Sequence, residues 1–231
     1  MPKVQLIPAP CLCLVTDRSI VEEGALVSRV AEAVAGGVDM VQLREKDLPG
    51  GLLLELAVAL RDAIAGRALL IINDRADVAS AVGAAGVQLG EEGLPVDAAR
   101  HVLGAGSLIG RSVHSESGAS QSAAQGCDFL LVGTMYSTSS HPGATPAGPS
   151  LLRRIGERCR LPLIGIGGIN HTNAAQVLES GATGVAVISS ILGSPRPGET
   201  AGQIKQAMID VWSAGRMAEG DLAPTSQEVS L

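Results

Sequence analysis

Aromatic side chains are almost absent from this chain. Phe129, Tyr136 and Trp212 are the only three among 231 residues. Proteins that bind single-stranded nucleic acid stack the bases on aromatic side chains, so this scarcity disfavours that class. The net charge of -6 also disfavours a protein that binds duplexes. We therefore predict that nucleic acid is not a partner, and that any phosphate is bound at a local site.

The chain also lacks a long, uninterrupted apolar run. The run from Ile64 to Ile72 is broken by Arg67, and it is far shorter than the roughly 20 residues of a membrane span. Pro8 and Pro10 interrupt the apolar N-terminal stretch, so no signal peptide is predicted. The four cysteines do not have the spacing of zinc ligands, and buried thiols in a reducing compartment are the simpler interpretation. We expect a cytoplasmic protein with no membrane partner.

Aliphatic residues are plentiful, and they fall into two alternating patterns. Short runs rich in Val, Ile and Leu are apolar on both faces, which is typical of buried parallel strands, and amphipathic stretches lie between them. The predicted strands are Cys11–Thr16, Met40–Arg44, Leu69–Ile72, Gly86–Leu89, Leu108–Ser112, Phe129–Val132, Leu163–Ile166 and Gly184–Ile188. The predicted helices are Val21–Ala35, Gly51–Ala65, Val78–Val82, Val96–Leu103, Ser117–Gln125, Ser150–Arg158, Asn173–Ser180 and Thr200–Ala214.

About eight strand–helix units are close to the number that closes a barrel. We therefore predict an α/β fold, a (β/α)8 TIM barrel in a single domain of residues 1–216, with an open doubly wound sheet as the alternative. Residues 217–231 are polar and lack periodicity, so we expect a disordered tail there. A homo-oligomer is left open.

The segment from Val41 to Asp47 begins as a buried strand and ends in a cluster of charge. Side chains alternate across a strand, so Gln42, Arg44 and Lys46 should project from one face. An ordinary core would not accept unpaired charges, because burying them is costly. The pattern therefore predicts a strand end that opens into a pocket for an anion.

Other predicted strands also end in polar or glycine residues, and in a barrel all of these ends meet at one face. The sequences Gly165-Ile-Gly-Gly168 and Val187-Ile-Ser189-Ser190 lie at the ends of the last two strands. A glycine turn and a short helix after the eighth strand would present backbone N–H groups there, where barrels commonly bind phosphate. Asp74 offers a carboxylate for a hard cation such as Mg²⁺, although it could instead cap the next helix.

Taken together, these features resemble the thiamine-phosphate synthase family, including its TenI branch. The resemblance runs from Leu14 to Ser189 and rests on the order and spacing of several blocks. These are Val41-Gln-Leu-Arg-Glu-Lys-Asp47, Ile72-Asn-Asp-Arg75, Gly86-Val-Gln-Leu-Gly90, Gly110-Arg-Ser-Val-His114, Ile164-Gly-Ile-Gly-Gly-Ile169 and Gly184-Val-Ala-Val-Ile-Ser189.

The resemblance implies a transferase of thiamine biosynthesis that joins hydroxymethylpyrimidine diphosphate to a thiazole phosphate. Pyrophosphate leaves, and the thiazole nitrogen traps the pyrimidine cation. It implies that these phosphorylated small molecules and Mg²⁺ bind at the following positions. The pyrimidine diphosphate is assigned to Gln42, Arg44, Lys46, Asn73 and Ser112; Mg²⁺ to Asp74; and the thiazole phosphate to Thr138, Ser140, Gly168, Ile188 and Ser189. The predicted catalytic side chains are Lys46, Ser112 and His141.

The chain departs from the family pattern at two positions. Glu91 and Glu92, after the fourth predicted strand, could supply a second carboxylate or be solvated loop charges. Gly93 stands where a second metal-binding Asp is usual in the family, and Glu92 is the predicted substitute. His141 stands where a lysine is usual. Both changes affect the half of the site that binds metal and diphosphate.

These departures leave two alternatives open. One is a tautomerase of the TenI type, which would isomerise a thiazole phosphate carboxylate by proton transfer. Because the usual histidine of that branch is replaced by Thr134, His141 or His114 would have to act as its acid–base group. The other is a barrel without catalytic activity that senses thiazole or thiamine phosphates. Such a sensor should lose Arg44, Lys46 and Asp74, yet these are retained.

Overall fold

The eight predicted strands form a closed parallel barrel in chain order. The computed structural model describes residues 6–138 and 145–218, apart from the side chains of residues 216–218. The strands are β1 (Cys11–Val15), β2 (Met40–Leu43), β3 (Leu69–Asn73), β4 (Gly86–Leu89), β5 (Leu108–Val113), β6 (Phe129–Gly133), β7 (Leu163–Ile166) and β8 (Gly184–Val187). The prediction of a (β/α)8 barrel is confirmed. The alternative of an open sheet is wrong, because β1 pairs with both β2 and β8.

Helices follow the strands and cover the outside of the barrel. They are α1 (Leu26–Ala35), α2 (Gly50–Ile64), α3 (Ala76–Val82), α4 (Val96–Leu103), α5 (Glu116–Ala124), α6 (Ser150–Gly156), α7 (Ala174–Glu179), α8 (Ser189–Leu192) and α9 (Pro197–Ala218). No helix within the described ranges is both long enough and apolar enough to cross a bilayer.

The largest boundary error concerns the first helix. The sequence predicts a helix from Val21, but α1 begins at Leu26, and a short 3₁₀ turn occupies Arg18–Ile20. Gly24 has a φ of 79°, in the left-handed region, which ends any helical run before Leu26. The β1–α1 connection is therefore a loop at the same end of the barrel as the carboxyl end of β1.

The last helix is longer than predicted at both ends. It begins at Pro197, since proline is well tolerated in the first turn of a helix, and continues to Ala218. The predicted domain boundary at residue 216 therefore falls within the last turn of α9. Residues 219–231 lie outside the described residues, so the disordered tail stays a prediction.

Small and aliphatic side chains fill the barrel, as the scarcity of aromatic residues requires. The interior cluster includes Cys13, Met40, Ile71, Phe129 and Ile164. A second, larger cluster lies between the outer faces of the strands and the helices. Burial raises the pKa of the Cys13 thiol to about 12, so this cysteine is an inert core residue.

Ionic contacts close the end of the barrel where the strands begin. Asp39 Oδ2 accepts hydrogen bonds from Lys205 Nζ at 2.6 Å and from the backbone N–H of Leu12 at 2.7 Å. Arg100 and Asp128 form a second pair at 2.7 Å. These contacts attach α9 and α4 to the start of the barrel, and they leave the opposite end for ligands.

Candidate functional site

A cavity opens among the carboxyl ends of the strands. Ten of the residues predicted to bind substrate or metal contribute to its wall: Gln42, Arg44, Lys46, Asn73, Asp74, Ser112, Thr138, Gly168, Ile188 and Ser189. The predicted residues Ser140 and His141 lie outside the described residues. The barrel thus brings together residues that are up to 147 positions apart, from 42 to 189, as expected when all strand ends meet at one face.

The segment from Gln42, near the end of β2, to Lys46 presents alternate side chains to the cavity, as the strand pattern predicts. Gln42 is buried, Arg44 is half-buried and Lys46 is exposed, and all three line the cavity. The backbone N–H of Arg44 donates to the buried hydroxyl of Thr16 at 2.9 Å. This contact fixes the backbone just beyond the end of β2, where the charged side chains begin.

A chain of hydrogen bonds orients the polar side chains of β2 and β3. Gln42 Nε2 donates to Asn73 Oδ1 at 3.0 Å, and Asn73 Nδ2 donates to Asp74 Oδ2 at 2.8 Å. The backbone N–H of Gly90 donates to Asp74 Oδ1 at 2.8 Å. The alternative that Asp74 caps the next helix is wrong: Arg75 is the N-cap of α3, and it has no side-chain capping bond.

A similar contact orients Ser112 at the end of β5. Gln88 Nε2 donates to Ser112 Oγ at 3.0 Å, so the hydroxyl hydrogen of Ser112 is free to point elsewhere. Gln88 is buried, and the sequence reasoning did not single it out. Its signal was a polar residue inside the otherwise apolar strand Gly86–Leu89.

The β4–α4 loop brings a different glutamate to the cavity from the one predicted. Both Glu91 and Glu92 are exposed, but Glu91 lines the cavity and Glu92 is not part of the cavity wall. Glu91 Oε1 lies 3.0 Å from His114 Nδ1. Arg111 donates to the backbone carbonyls of Glu91 at 2.7 Å and Leu94 at 2.9 Å. Arg111 and His114 therefore hold the β4–α4 loop in place.

The acidic residues fit a cation that takes few ligands from the protein. Within the described residues, no group of three or more His, Cys, Asp or Glu side chains is arranged to hold a metal. A Cβ atom added at Gly93 would lie 2.8 Å from Asp74 Oδ1, so a carboxylate at that position would stand beside Asp74. The set present here, Asp74 with Glu91 in the same cavity wall, suits Mg²⁺ that binds mainly to substrate phosphate oxygens.

The opposite wall of the cavity is made of backbone rather than charged side chains. Gly167 and Gly168 follow β7 with φ values of 106° and 64°, in the left-handed region. A Cβ atom at Gly168 would lie 2.5 Å from the carbonyl oxygen of Ser137, so the β6–α6 loop can pass only beside a glycine. Asn173 Nδ2 donates to the carbonyl of Gly168 at 3.0 Å and holds this turn.

The short helix α8 adjoins these glycines. It begins at Ser189, directly after β8, and the first N–H groups of any helix have no acceptor within the helix. Ser190 Oγ donates to the carbonyl of Ile169 at 2.5 Å, which joins the helix to the glycine turn. The prediction of a short helix after the eighth strand is confirmed.

We name the two parts of the cavity by what they present. The side-chain half consists of Gln42, Arg44, Lys46, Asn73, Asp74 and Ser112, and the backbone half consists of Gly167, Gly168, Ile188, Ser189 and Ser190. Apolar residues of the strands lie between the halves as a floor. The sequence reasoning did not predict this floor, which includes Val15, Leu131, Ile166 and Ala186, because apolar residues inside a barrel look the same whether or not they touch a ligand.

Comparisons with known proteins agree on one family. A family profile described as thiamine monophosphate synthase matches residues 12–191. A thiamine-phosphate synthase of Methanoculleus marisnigri is 45% identical over 184 residues, which cover 79% of this chain and 87% of that protein. A thiamine-phosphate synthase of Syntrophomonas wolfei is 41% identical over 185 residues, covering 79% and 88%.

A solved structure supports the same relationship. The structure titled thiamine phosphate pyrophosphorylase from Pyrococcus furiosus superposes with a TM-score of 0.80 at 35% identity, covering 87% of this chain and 96% of that one. A structure of 3-hexulose-6-phosphate synthase superposes with a TM-score of 0.65 at 20% identity, and this likeness concerns the fold alone.

Proposed function

Because the chain belongs to the thiamine monophosphate synthase family, we propose that it joins hydroxymethylpyrimidine diphosphate to thiazole phosphate and releases pyrophosphate. The product is thiamine phosphate, and the enzyme is a transferase of thiamine biosynthesis. The observation that carries the proposal is the cavity itself, which faces Arg44 and Lys46 on one side and the glycine turn at Gly168 on the other. Two anionic groups can therefore be bound on opposite sides of an apolar floor.

The side-chain half suits the diphosphate. Arg44 supplies several N–H donors in a planar group, and Lys46 supplies a mobile point charge, which together match the many oxygens of a diphosphate. Gln42 and Asn73 are held by their mutual hydrogen bond, so they need little reorganisation when the substrate binds. The free hydroxyl hydrogen of Ser112 can donate to the same group.

Mg²⁺ would be held by Asp74, with Glu91 rather than Glu92 as the nearby second carboxylate. When bound, Mg²⁺ would neutralise part of the charge on the leaving diphosphate. Gly90 supports this role, since its N–H holds one carboxylate oxygen of Asp74 at 2.8 Å and fixes the direction of the side chain.

The backbone half suits the monophosphate of the thiazole. The start of α8 and the turn at Gly168 offer backbone N–H groups, which commonly bind phosphate at such positions. Ser189 and Thr138 line the same part of the cavity and add hydroxyl groups. The thiazole would then be fixed by its phosphate, with its ring over the apolar floor.

The reaction breaks the bond between the pyrimidine methylene carbon and the diphosphate oxygen, and it forms a bond between that carbon and the thiazole nitrogen. Arg44 and Lys46 stabilise the negative charge that develops on the leaving group. Val15, Leu131 and Ile166 keep water from the electron-poor carbon. Holding both substrates in one cavity aligns the nitrogen with the carbon.

The tautomerase alternative is not favoured. Thr134 lines the cavity at the position where that branch is expected to carry its histidine, and threonine is not an acid–base group near neutral pH. The relatives described above are named for the synthase. A sensor that does not catalyse is also not favoured, because the charged residues of the side-chain half are all present.

The test is to incubate the full-length protein with both substrates and Mg²⁺ and to measure thiamine phosphate and pyrophosphate. We expect both products in equal amounts. A protein that binds the thiazole phosphate but forms no thiamine phosphate at any Mg²⁺ concentration would contradict the proposal. Isomerisation of a thiazole phosphate carboxylate, measured separately, would instead support the tautomerase.

A further inference from the structure

Arg18 lies just beyond β1, at the same end of the barrel as the cavity, and its guanidinium contacts the segment after β2. Arg18 Nη1 lies 3.1 Å from Glu45 Oε2 and 2.7 Å from Asp47 Oδ1, and Nη2 lies 2.5 Å from Asp47 Oδ2. The backbone N–H of Arg18 donates to Glu45 Oε1 at 3.1 Å. One arginine therefore holds both carboxylates that flank Lys46.

The two carboxylates lie in very different surroundings. The side chain of Glu45 is 4% exposed, whereas that of Asp47 is 72% exposed. Glu45 needs a cation because a buried, unpaired carboxylate is costly. Asp47 is exposed to water and carries no such cost, so burial does not require its two-point contact with Arg18. The hydrogen bond from Arg18 lowers the pKa of Asp47.

These charges alternate in sequence with those of the side-chain half. Arg44 and Lys46 line the cavity, and Glu45 and Asp47 turn to the other side, towards Arg18. The four residues together carry no net charge. Without a further cation they would attract an anion through direct contacts with Arg44 and Lys46 but only weakly at longer range. Arg18 makes the group positive by one charge and fixes the carboxylates on the side away from the cavity.

We propose that Arg18 is a positioning residue for the diphosphate: it neutralises Glu45 and Asp47 and holds them away from the cavity, so that Arg44 and Lys46 act on the anion without competition. The proposal rests on the proposed function, because it assumes that the side-chain half binds the diphosphate. Arg18 itself does not touch the substrate. Its effect should therefore appear in diphosphate affinity, and it should depend on the carboxylates.

The test compares pyrophosphate binding by the full-length protein with that of Arg18→Gln and of the double variant Arg18→Gln/Asp47→Asn. The Kd of inorganic pyrophosphate is measured by calorimetry at one fixed Mg²⁺ concentration. We expect Arg18→Gln to weaken binding about tenfold, because two nearby carboxylates lose their counter-charge. Adding Asp47→Asn should restore most of the affinity, since one uncompensated negative charge is removed. In kinetic assays, Arg18→Gln should raise the KM for the diphosphate substrate more than it lowers kcat.

A matched control breaks an ion pair at the other end of the barrel. Arg100→Gln removes the contact with Asp128, which also joins two elements of the fold and is partly buried. It should lower the melting temperature, yet leave the Kd of pyrophosphate unchanged. Arg18→Lys keeps the charge without the two-point contact, and it should bind pyrophosphate with intermediate affinity.

Two outcomes would overturn the proposal while the wild-type protein binds pyrophosphate. One is an unchanged Kd in Arg18→Gln, and the other is a weakened Kd that Asp47→Asn does not restore. If Arg18→Gln does not fold, Asp47→Asn alone decides, since with Arg18 present it should tighten pyrophosphate binding about threefold, and weaker binding would contradict the proposal. A wild-type protein that neither binds pyrophosphate nor forms thiamine phosphate would contradict the proposed function as well.

Discussion

The two halves of the cavity are suited to bind anions by different physical means. The side-chain half relies on charges and on a chain of hydrogen bonds from Gln42 through Asn73 to Asp74. The backbone half relies on glycines, above all Gly168, where no Cβ atom fits. The first half can be weakened by removing atoms, and the second can be weakened by adding them.

This difference has a consequence for how each half tolerates substitution. Truncating an exposed charge such as Lys46 should remove the proposed contact to the diphosphate and leave the fold intact. A side chain at Gly168 forces the β6–α6 loop and the turn after β7 apart, so it affects binding and stability together. Substitutions in the two halves should therefore separate diphosphate binding from thiazole phosphate binding.

The largest effect is expected for Lys46→Ala. Loss of a charged contact to the diphosphate should weaken pyrophosphate binding about 100-fold, which corresponds to roughly 2.7 kcal/mol. Thiazole phosphate binding and the melting temperature should remain as in the wild type, because Lys46 is exposed and lies in the other half. Calorimetry with each ligand separately checks both statements. Unchanged pyrophosphate affinity would mean that Lys46 is an ordinary surface residue.

The converse effect is expected for Gly168→Ala. The added Cβ atom would lie 2.5 Å from the carbonyl oxygen of Ser137, and the φ of 64° disfavours alanine. We expect displacement of the turn to cost roughly 2 kcal/mol of binding free energy, so that thiazole phosphate binds about 30-fold more weakly. Pyrophosphate binding should be retained.

The control for this variant is Gly181→Ala, which follows α7. Gly181 also has a positive φ, of 96°, but a Cβ atom there would meet nothing within 4 Å. It should lower the melting temperature without changing the Kd for thiazole phosphate. If both glycine variants weakened thiazole phosphate binding equally, the weaker binding of Gly168→Ala would reflect general destabilisation of the fold.

The sequence predicted the barrel because its signal is repeated. The predicted limits of the strands Gly86–Leu89 and Leu163–Ile166 and of the helix Val96–Leu103 agree with the structure. The other six strands differ from their predicted limits by one residue at one end. The start of α1 was wrong because Val21 to Ala25 are compatible with a helix in composition. Extended backbone at Val21 and left-handed backbone at Gly24 separate them from it, and the composition reveals neither conformation.

The cavity wall was predicted better than the contacts behind it. Alternation along β2 placed Gln42 and Arg44 on the face that lines the cavity, because successive side chains of a strand point to opposite faces. Spacing along the chain gives neither the register between neighbouring strands nor the path of a loop. Neither the contact of Gln88 on β4 with Ser112 on β5 nor the position of Glu91 in place of Glu92 could therefore be derived from it. The roles of these residues in binding stay predictions until the variants are measured.

A smaller effect is expected for Ser112→Ala, which removes a neutral hydrogen bond from the side-chain half. A hydroxyl donor is worth about 1 kcal/mol, so kcat/KM should fall about fivefold. The partner Gln88 would lose its acceptor, and a modest fall in melting temperature should accompany the kinetic change. Ser112→Thr keeps the hydroxyl and serves as the control. Equal losses in both variants would indicate that the space at this position matters more than the hydrogen bond.

The smallest effect, and the most specific to this chain, is expected for Gly93→Asp, which adds a carboxylate beside Asp74. The new Cβ atom would lie 2.8 Å from Asp74 Oδ1, so close that the loop or Asp74 must shift. Without metal the two carboxylates also repel each other, and both effects should lower the melting temperature. When Mg²⁺ is present, the added carboxylate can serve as a further ligand for it beside Asp74. The Mg²⁺ concentration for half-maximal activity should therefore fall about threefold. Gly93→Asn, which has a similar shape and no charge, should lower the melting temperature less and leave the Mg²⁺ dependence unchanged. If Gly93→Asp leaves the Mg²⁺ dependence unchanged and magnesium does not raise its melting temperature, the cation does not bind beside Asp74. The metal would then have to be held through the substrate phosphates alone.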